Sequence, residues 1–148
     1  MASDPGRSSS PWLIGPIIVL VGLALAIIAW PDAVMGTSLG DFVLVSLAMG
    51  GGAAWLTGKA VARGWGSPAQ LVLYCALLAV AVRFCHFALF NDELLEPLTS
   101  LAEFLFLLAV AVLGFRHVRK WQMSVQYGWM FTPAGPFSWR RQDSVEEP

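Results

Sequence analysis

The chain has 148 residues, of which 57% are hydrophobic and 13% charged, with a net charge of −1 and a mean hydropathy of +0.65. A soluble domain averages about 45–50% apolar and about 25% charged residues, so both departures indicate a membrane protein rather than a soluble globule. A charge balance this close to zero predicts no nucleic-acid partner.

Residues 1–11 are small and polar and read as a disordered tail. Residues 12–30 are an uncharged run. As a helix that run spans about 28 Å, close to the thickness of a hydrocarbon core. Trp12 and Trp30 stand at its ends as interfacial anchors do, and Pro31-Asp32 terminates it. A cleaved signal peptide competes for this stretch. Its apolar region would be about 7–15 residues followed by a small-residue cleavage site, and Trp30-Pro31-Asp32 does not supply one. The run is therefore read as an uncleaved first span.

The second span, 42–61, is the weakest, because it contains Gly50, Gly51 and Gly52. Its spacing carries information. Gly50, Ala54, Gly58 and Ala62 recur every four residues, and small residues at that interval let a second helix backbone approach closely. A helix-packing face is the expectation, against chance in a chain with 14 glycines. Val45 is placed on the lipid side. Ser46 and Thr57 are isolated hydroxyls, read as helix-packing donors. After a loop at 64–68 comes a third span, 69–90, and then a fourth, 98–115, in which Gly114 allows tight packing. Cys75 and Cys85 share one run. On a helix they stand about 15 Å apart along the axis, too far for a disulfide, and they read as packing groups. With no internal repeat, 12–115 forms one all-α, four-transmembrane-helix domain.

Loop charge orients it. Arg7, Lys59, Arg63, Arg116, Arg119, Lys120, Arg140 and Arg141 fall on one side of a four-span arrangement. The loops after spans one and three contain no Lys or Arg and carry Asp32, Asp41, Asp92, Glu93 and Glu96. Basic residues stay in the cytoplasm, so both termini are expected there.

Arg83 is the one basic residue inside a span, and Glu103 lies in the next span across a short acidic loop. Counted from the hairpin turn, their depths differ by roughly 3 Å. A charge in hydrocarbon costs at least about 2.5 kcal/mol on insertion scales, so such groups face protein and find partners. Arg83 and Glu103 are therefore expected to face each other. His86 shares the Arg83 face one turn outward, and Glu96 lies near that end. The cluster Arg83, His86 and Glu103 reads either as a clamp that fixes helix pairing or as a proton, ion or polar-ligand site, since histidine titrates near neutrality. His117 would lie roughly 20 Å in depth from His86, which disfavours a bis-histidine haem. No nucleophile motif, phosphate loop or metal-binding pair is visible. The expectation is a protein that is not an enzyme, with no cofactor and no metal.

Residues 116–142 are basic and aromatic. The first part, to residue 126, can prolong the fourth span as a helix, and the proline pair at 133 and 136 forces a turn. Arg116, Arg119, Lys120, Trp121, Trp129, Phe137, Trp139, Arg140 and Arg141 suit either an interfacial anchor on anionic lipid or a docking strap for a partner subunit. Residues 143–148 read as a disordered tail.

The stretches Arg83-Phe-Cys-His-Phe-Ala-Leu-Phe90 and Ala134-Gly-Pro-Phe-Ser-Trp-Arg-Arg141, with Gln70-Leu-Val-Leu-Tyr74 and Gln122-Met123, resemble a family of small uncharacterised alphaproteobacterial membrane proteins. Members are often encoded beside branched-chain amino-acid ABC transporter permeases. The resemblance covers roughly residues 57–141 and brings no catalytic residue with it. It implies a bacterial inner-membrane location and an association with a transporter. The function expected on these grounds is a small accessory subunit that packs with or docks onto a larger membrane complex, with an amino-acid ABC transporter as the candidate. The alternative is a homo-oligomeric small transporter or ion- or proton-conducting protein that uses Arg83, His86 and Glu103.

Overall fold

The computed structural model describes residues 11–35, 38–91 and 93–142. The tails expected to be disordered, 1–11 and 143–148, lie outside these apart from Pro11, which opens the first helix. Helix α1 runs Pro11–Ala29. Pro11 takes a first-turn position, where a missing N–H costs nothing. Pro16 lies inside the helix. One turn of helix, α2 (Pro31–Met35), follows. Next comes α3 (Leu39–Asp41), whose N-cap Ser38 accepts the Asp41 backbone N–H. It leads without interruption into a π-helical segment, Phe42–Gly50, and then α4, Gly51–Arg63. Helix α5 (Pro68–Phe90) starts with Ser67 as N-cap and Pro68 in the first turn, and ends at Asn91 in the left-handed conformation. Helix α6 (Pro97–Gln126) also begins on a proline. Strands β1 (Phe131–Pro133) and β2 (Trp139–Arg141) close an antiparallel hairpin with Thr132 opposite Arg140.

Four helical stretches are long and apolar enough to cross a membrane: Trp12–Ala29, Leu39–Arg63, Pro68–Phe90 and Pro97–Gln126. The fold is thus the all-α, four-span bundle read from the sequence. The spans differ from expectation mainly at their ends. The second gains residues at both ends, and the fourth runs on through residue 126, as its polar extension allowed. The hairpin is an addition, since only its turn was foreseen. Within the bundle, Lys59, Arg63 and Arg116 to Lys120 gather at one end, and Glu93 and Glu96 at the other, here termed the basic and acidic ends.

The core is formed by the second, third and fourth spans, around Val45, Ala54, Val61, Leu71, Cys75, Val82, Leu107 and Ala111. Val45 is a correction, because it is 1% exposed rather than lipid-facing. The cause is the π segment. Its wider i→i+5 turn swings residue 45 toward the face that carries Ser46 and Gly50, which rotates Val45 inward relative to an α-helix. Helix α1 is peripheral: no residue between Trp12 and Ala29 is buried, and it lies mainly along α6. At the acidic end the buried Thr99 hydroxyl donates to the Ala33 carbonyl at 3.4 Å, tying α2 to the start of α6.

Candidate buried polar site

Three polar side chains converge in the acidic half from three spans. Ser46 comes from the π segment, His86 from α5 and Glu103 from α6, and all three are buried. Ser46 Oγ lies 2.9 Å from His86 Nε2 and donates to Glu103 Oε1 at 3.2 Å. His86 Nε2 is 3.3 Å from the same carboxylate oxygen. Three heavy atoms so close, with almost no access to solvent, form one hydrogen-bonded unit, in which loss of any member leaves buried polar groups with fewer partners.

Depth alone set Arg83 against Glu103. The structure gives Glu103 to His86 and Ser46. It carries the Arg83 guanidinium toward the loop, where Nη2 donates to the Glu93 carbonyl and stands 3.6 Å from Glu96 Oε2. A long aliphatic stem lets an arginine place its charge well away from its own Cα depth. The buried polar cluster therefore has two parts: a His–Glu–Ser unit, and an arginine clasp on the loop between α5 and α6.

Ser46, which the sequence presents as an isolated packing hydroxyl, instead bridges His86 and Glu103. The signal was present, because Ser46 lies four residues before Gly50 and extends the stripe of Gly50, Ala54, Gly58 and Ala62. Thr57 does something different: its hydroxyl returns to the Ala53 carbonyl of its own helix at 2.8 Å. The structure puts all four stripe residues in buried positions, with Ala54 and Ala62 fully so. A Cβ built on Gly58 would overlap the Ala111 carbonyl oxygen, and one on Gly114 would come within 2.5 Å of the Trp55 carbonyl oxygen. Below the polar unit, α4 and α6 thus meet backbone to backbone.

Neither a curated protein nor a solved structure matches this chain. One family model does, over residues 37–142, and it is described as a domain of unknown function, DUF6867. The chain belongs to the DUF6867 family. The DUF6867 region contains Ser46, Arg83, His86 and Glu103, the small-residue stripe and the hairpin, whereas α1 lies outside it.

At the basic end of the DUF6867 region, several residues expected to meet lipid or a partner are used within the chain. Arg116 is buried, with its guanidinium 4.7 Å from the Trp139 ring. Arg119 sits 4.4 Å over Trp65 and donates to the Gly66 carbonyl at 3.1 Å. Trp65 itself holds a left-handed backbone, φ 55°. Phe137 meets Trp55 and His117 edge-on, with ring centroids 6.5 and 6.1 Å away. The Gln122 amide donates to the Ala62 carbonyl and satisfies a last-turn acceptor of α4. Trp121, Trp129, Arg140 and Arg141 remain exposed, and Lys120 is half-buried. Among the described residues, no group of three or more His, Cys, Asp or Glu stands close enough to hold a metal ion.

Proposed function

We propose that the protein is a small integral subunit of a larger membrane complex and acts through its outer surface. The observation that supports this reading is the tight seam between α4 and α6. The polar unit is confined to the acidic half, and the backbone contact of Gly58 with Ala111 leaves no room for a path between α4 and α6 toward the basic end. What the molecule offers outward is an apolar α1 and an aromatic, basic end that carries Trp129, 74% exposed, beside Arg140 and Arg141. Aromatic and arginine side chains are the usual anchors of interfaces. In this reading both termini face the cytoplasm of a bacterial cell and the protein sits in the inner membrane, as the loop charges favour. The partner is a membrane subunit, and an amino-acid ABC transporter permease is the candidate carried by the resemblance.

The full chain, purified by affinity in mild detergent, is expected to bring a heterologous membrane subunit in fixed stoichiometry. The exposed triple change Trp129→Ala, Arg140→Ser and Arg141→Ser should release that subunit while the four spans stay inserted. A symmetric homo-oligomer as the sole assembly would refute the reading and favour a conducting or transporting oligomer. For sidedness, a cysteine at Ser144 should resist an impermeant thiol reagent in intact cells, and one at Asn91 should react.

A further inference from the structure

We propose that Ser46, His86 and Glu103 form a proton-binding site that works with one water molecule and exchanges with the acidic end alone. The site goes beyond the subunit reading and does not depend on it. A serine hydroxyl has one proton to give. When Ser46 gives it to Glu103 Oε1, the 2.9 Å contact with His86 Nε2 needs a proton on the nitrogen. The arrangement that uses every proton is a relay, with Nε2–H donating to Oγ and Oγ–H donating to Oε1.

The relay can move a proton without a change in net charge. The Nε2–H bond breaks as a new Oγ–H bond forms, and the old Oγ–H bond breaks as an Oε1–H bond forms. With Nδ1 also carrying a proton, imidazolium and carboxylate become neutral imidazole and carboxylic acid, and the serine is restored. Removing the shared proton altogether would leave a carboxylate without that compensation in an interior bounded by hydrocarbon, which is costly. Against the unit, helices α1 and α2 bring Leu23, Ile27 and Val34. Helix α5 brings Arg83, whose charge is received by Glu96 and the Glu93 carbonyl. The site is thus built to hold one proton between two titratable groups.

A cavity adjoins the site. Beside Ser46 and Glu103 lies a space of about 30 Å³ bounded by Leu23, Ile27, Val34 and Phe106. A water molecule needs about 10–15 Å³ by this measure, so the space has room for one, which would meet Ser46 and Glu103 as the polar residues on an otherwise apolar wall. The cavity lies against α1, α2 and the π segment, toward the acidic end. On the other side, the Gly58–Ala111 and Gly114–Trp55 contacts close α4 against α6.

The test uses the full chain in lipid vesicles, with the proton as the probe. Infrared difference spectra recorded over about pH 5 to 8, the range in which histidine titrates, should contain a protonated-carboxyl band from glutamate. Glu103→Gln should abolish that band, and Ser46→Ala should shift it. In vesicles of one orientation, a pH jump on the Asn91 face should fill the site faster than one on the Arg141 face. Because a Glu103 variant can fail to fold, a second measurement keeps that residue. His117→Gln leaves His86 as the one histidine, and nitrogen NMR should find Nε2 protonated in the ionic form and unprotonated in the form that shows the carboxyl band. A spectrum without a glutamate carboxyl band at any pH, an Nε2 whose protonation does not change as that band appears, or equal filling from both faces would overturn the proposal.

Discussion

At the basic end, α4 and α6 touch through backbone, with Gly58 against Ala111 and Gly114 against Trp55. At the acidic end, the same face of the second span reaches α6 through side chains, Ser46 to Glu103, with His86 of α5 joined to both. Hydrocarbon removes the usual drive to bury apolar faces, so helices in a bilayer rely on close packing and hydrogen bonds instead. This bundle uses each in a different half. Packing by small residues tolerates no added volume but asks for no particular partner. A hydrogen-bonded unit tolerates some movement but needs every member. The two halves should therefore fail differently.

Four variants would break or sharpen that contrast. Gly58→Val should have the largest effect, since the new side chain must push the α6 backbone away. Overpacking typically costs about 1–3 kcal/mol, and this site belongs at the upper end because the obstacle is a carbonyl rather than a flexible side chain. Thermal unfolding in detergent measures it, and a parent-like melt would show that α4 and α6 need not touch. Glu103→Gln should come next. If the unit holds a shared proton, the loss is that of a membrane hydrogen bond, about 1–2 kcal/mol. A fixed ion pair would instead lose about 3–5 kcal/mol. A double-mutant cycle should give more coupling between His86 and Glu103 than between Arg83 and Glu103. Trp139→Ala should cost about 1 kcal/mol, the size of a cation–π contact with Arg116, and should loosen the hairpin to limited proteolysis without affecting the spans. Thr57→Ala should be the mildest, within about 0.5 kcal/mol, because its hydroxyl serves only its own helix. If it costs as much as Ser46→Ala, a buried cross-helix bond has no special weight here.

The parts of this molecule that were legible beforehand follow from one-dimensional quantities. Apolar run length placed all four spans, and an interval of four residues marked Gly50, Ala54, Gly58 and Ala62 as one face. Two misreadings, one at the polar site and one in the core, came from treating residues as points on an ideal helix. The rise per residue gives Arg83 a Cα depth near that of Glu103, but the guanidinium lies several bonds away and can be drawn to Glu96. The π segment shifts the angular phase of Phe42–Gly50, so Val45 turns inward where α-helical counting sends it outward. The hairpin was hidden for another reason. Phe131–Pro133 and Trp139–Arg141 are too short and too aromatic to differ in pattern from an interfacial segment. What joins the hairpin to the bundle is Phe137 against Trp55 and Trp139 against Arg116, contacts between residues far apart in the chain.

Helix α6 holds Glu103 near one end and Arg116, Arg119 and Gln122 near the other, and has no proline after its first turn. Thirty residues make a rod about 45 Å long, some 15 Å more than a hydrocarbon core. Such a rod twists as one piece. A few degrees of roll at the glutamate must reappear at the hairpin, about 20 Å away along the axis, as the same few degrees beneath the Trp139 ring. The two ends of the molecule, which differ in charge, packing and surroundings, share a single axle.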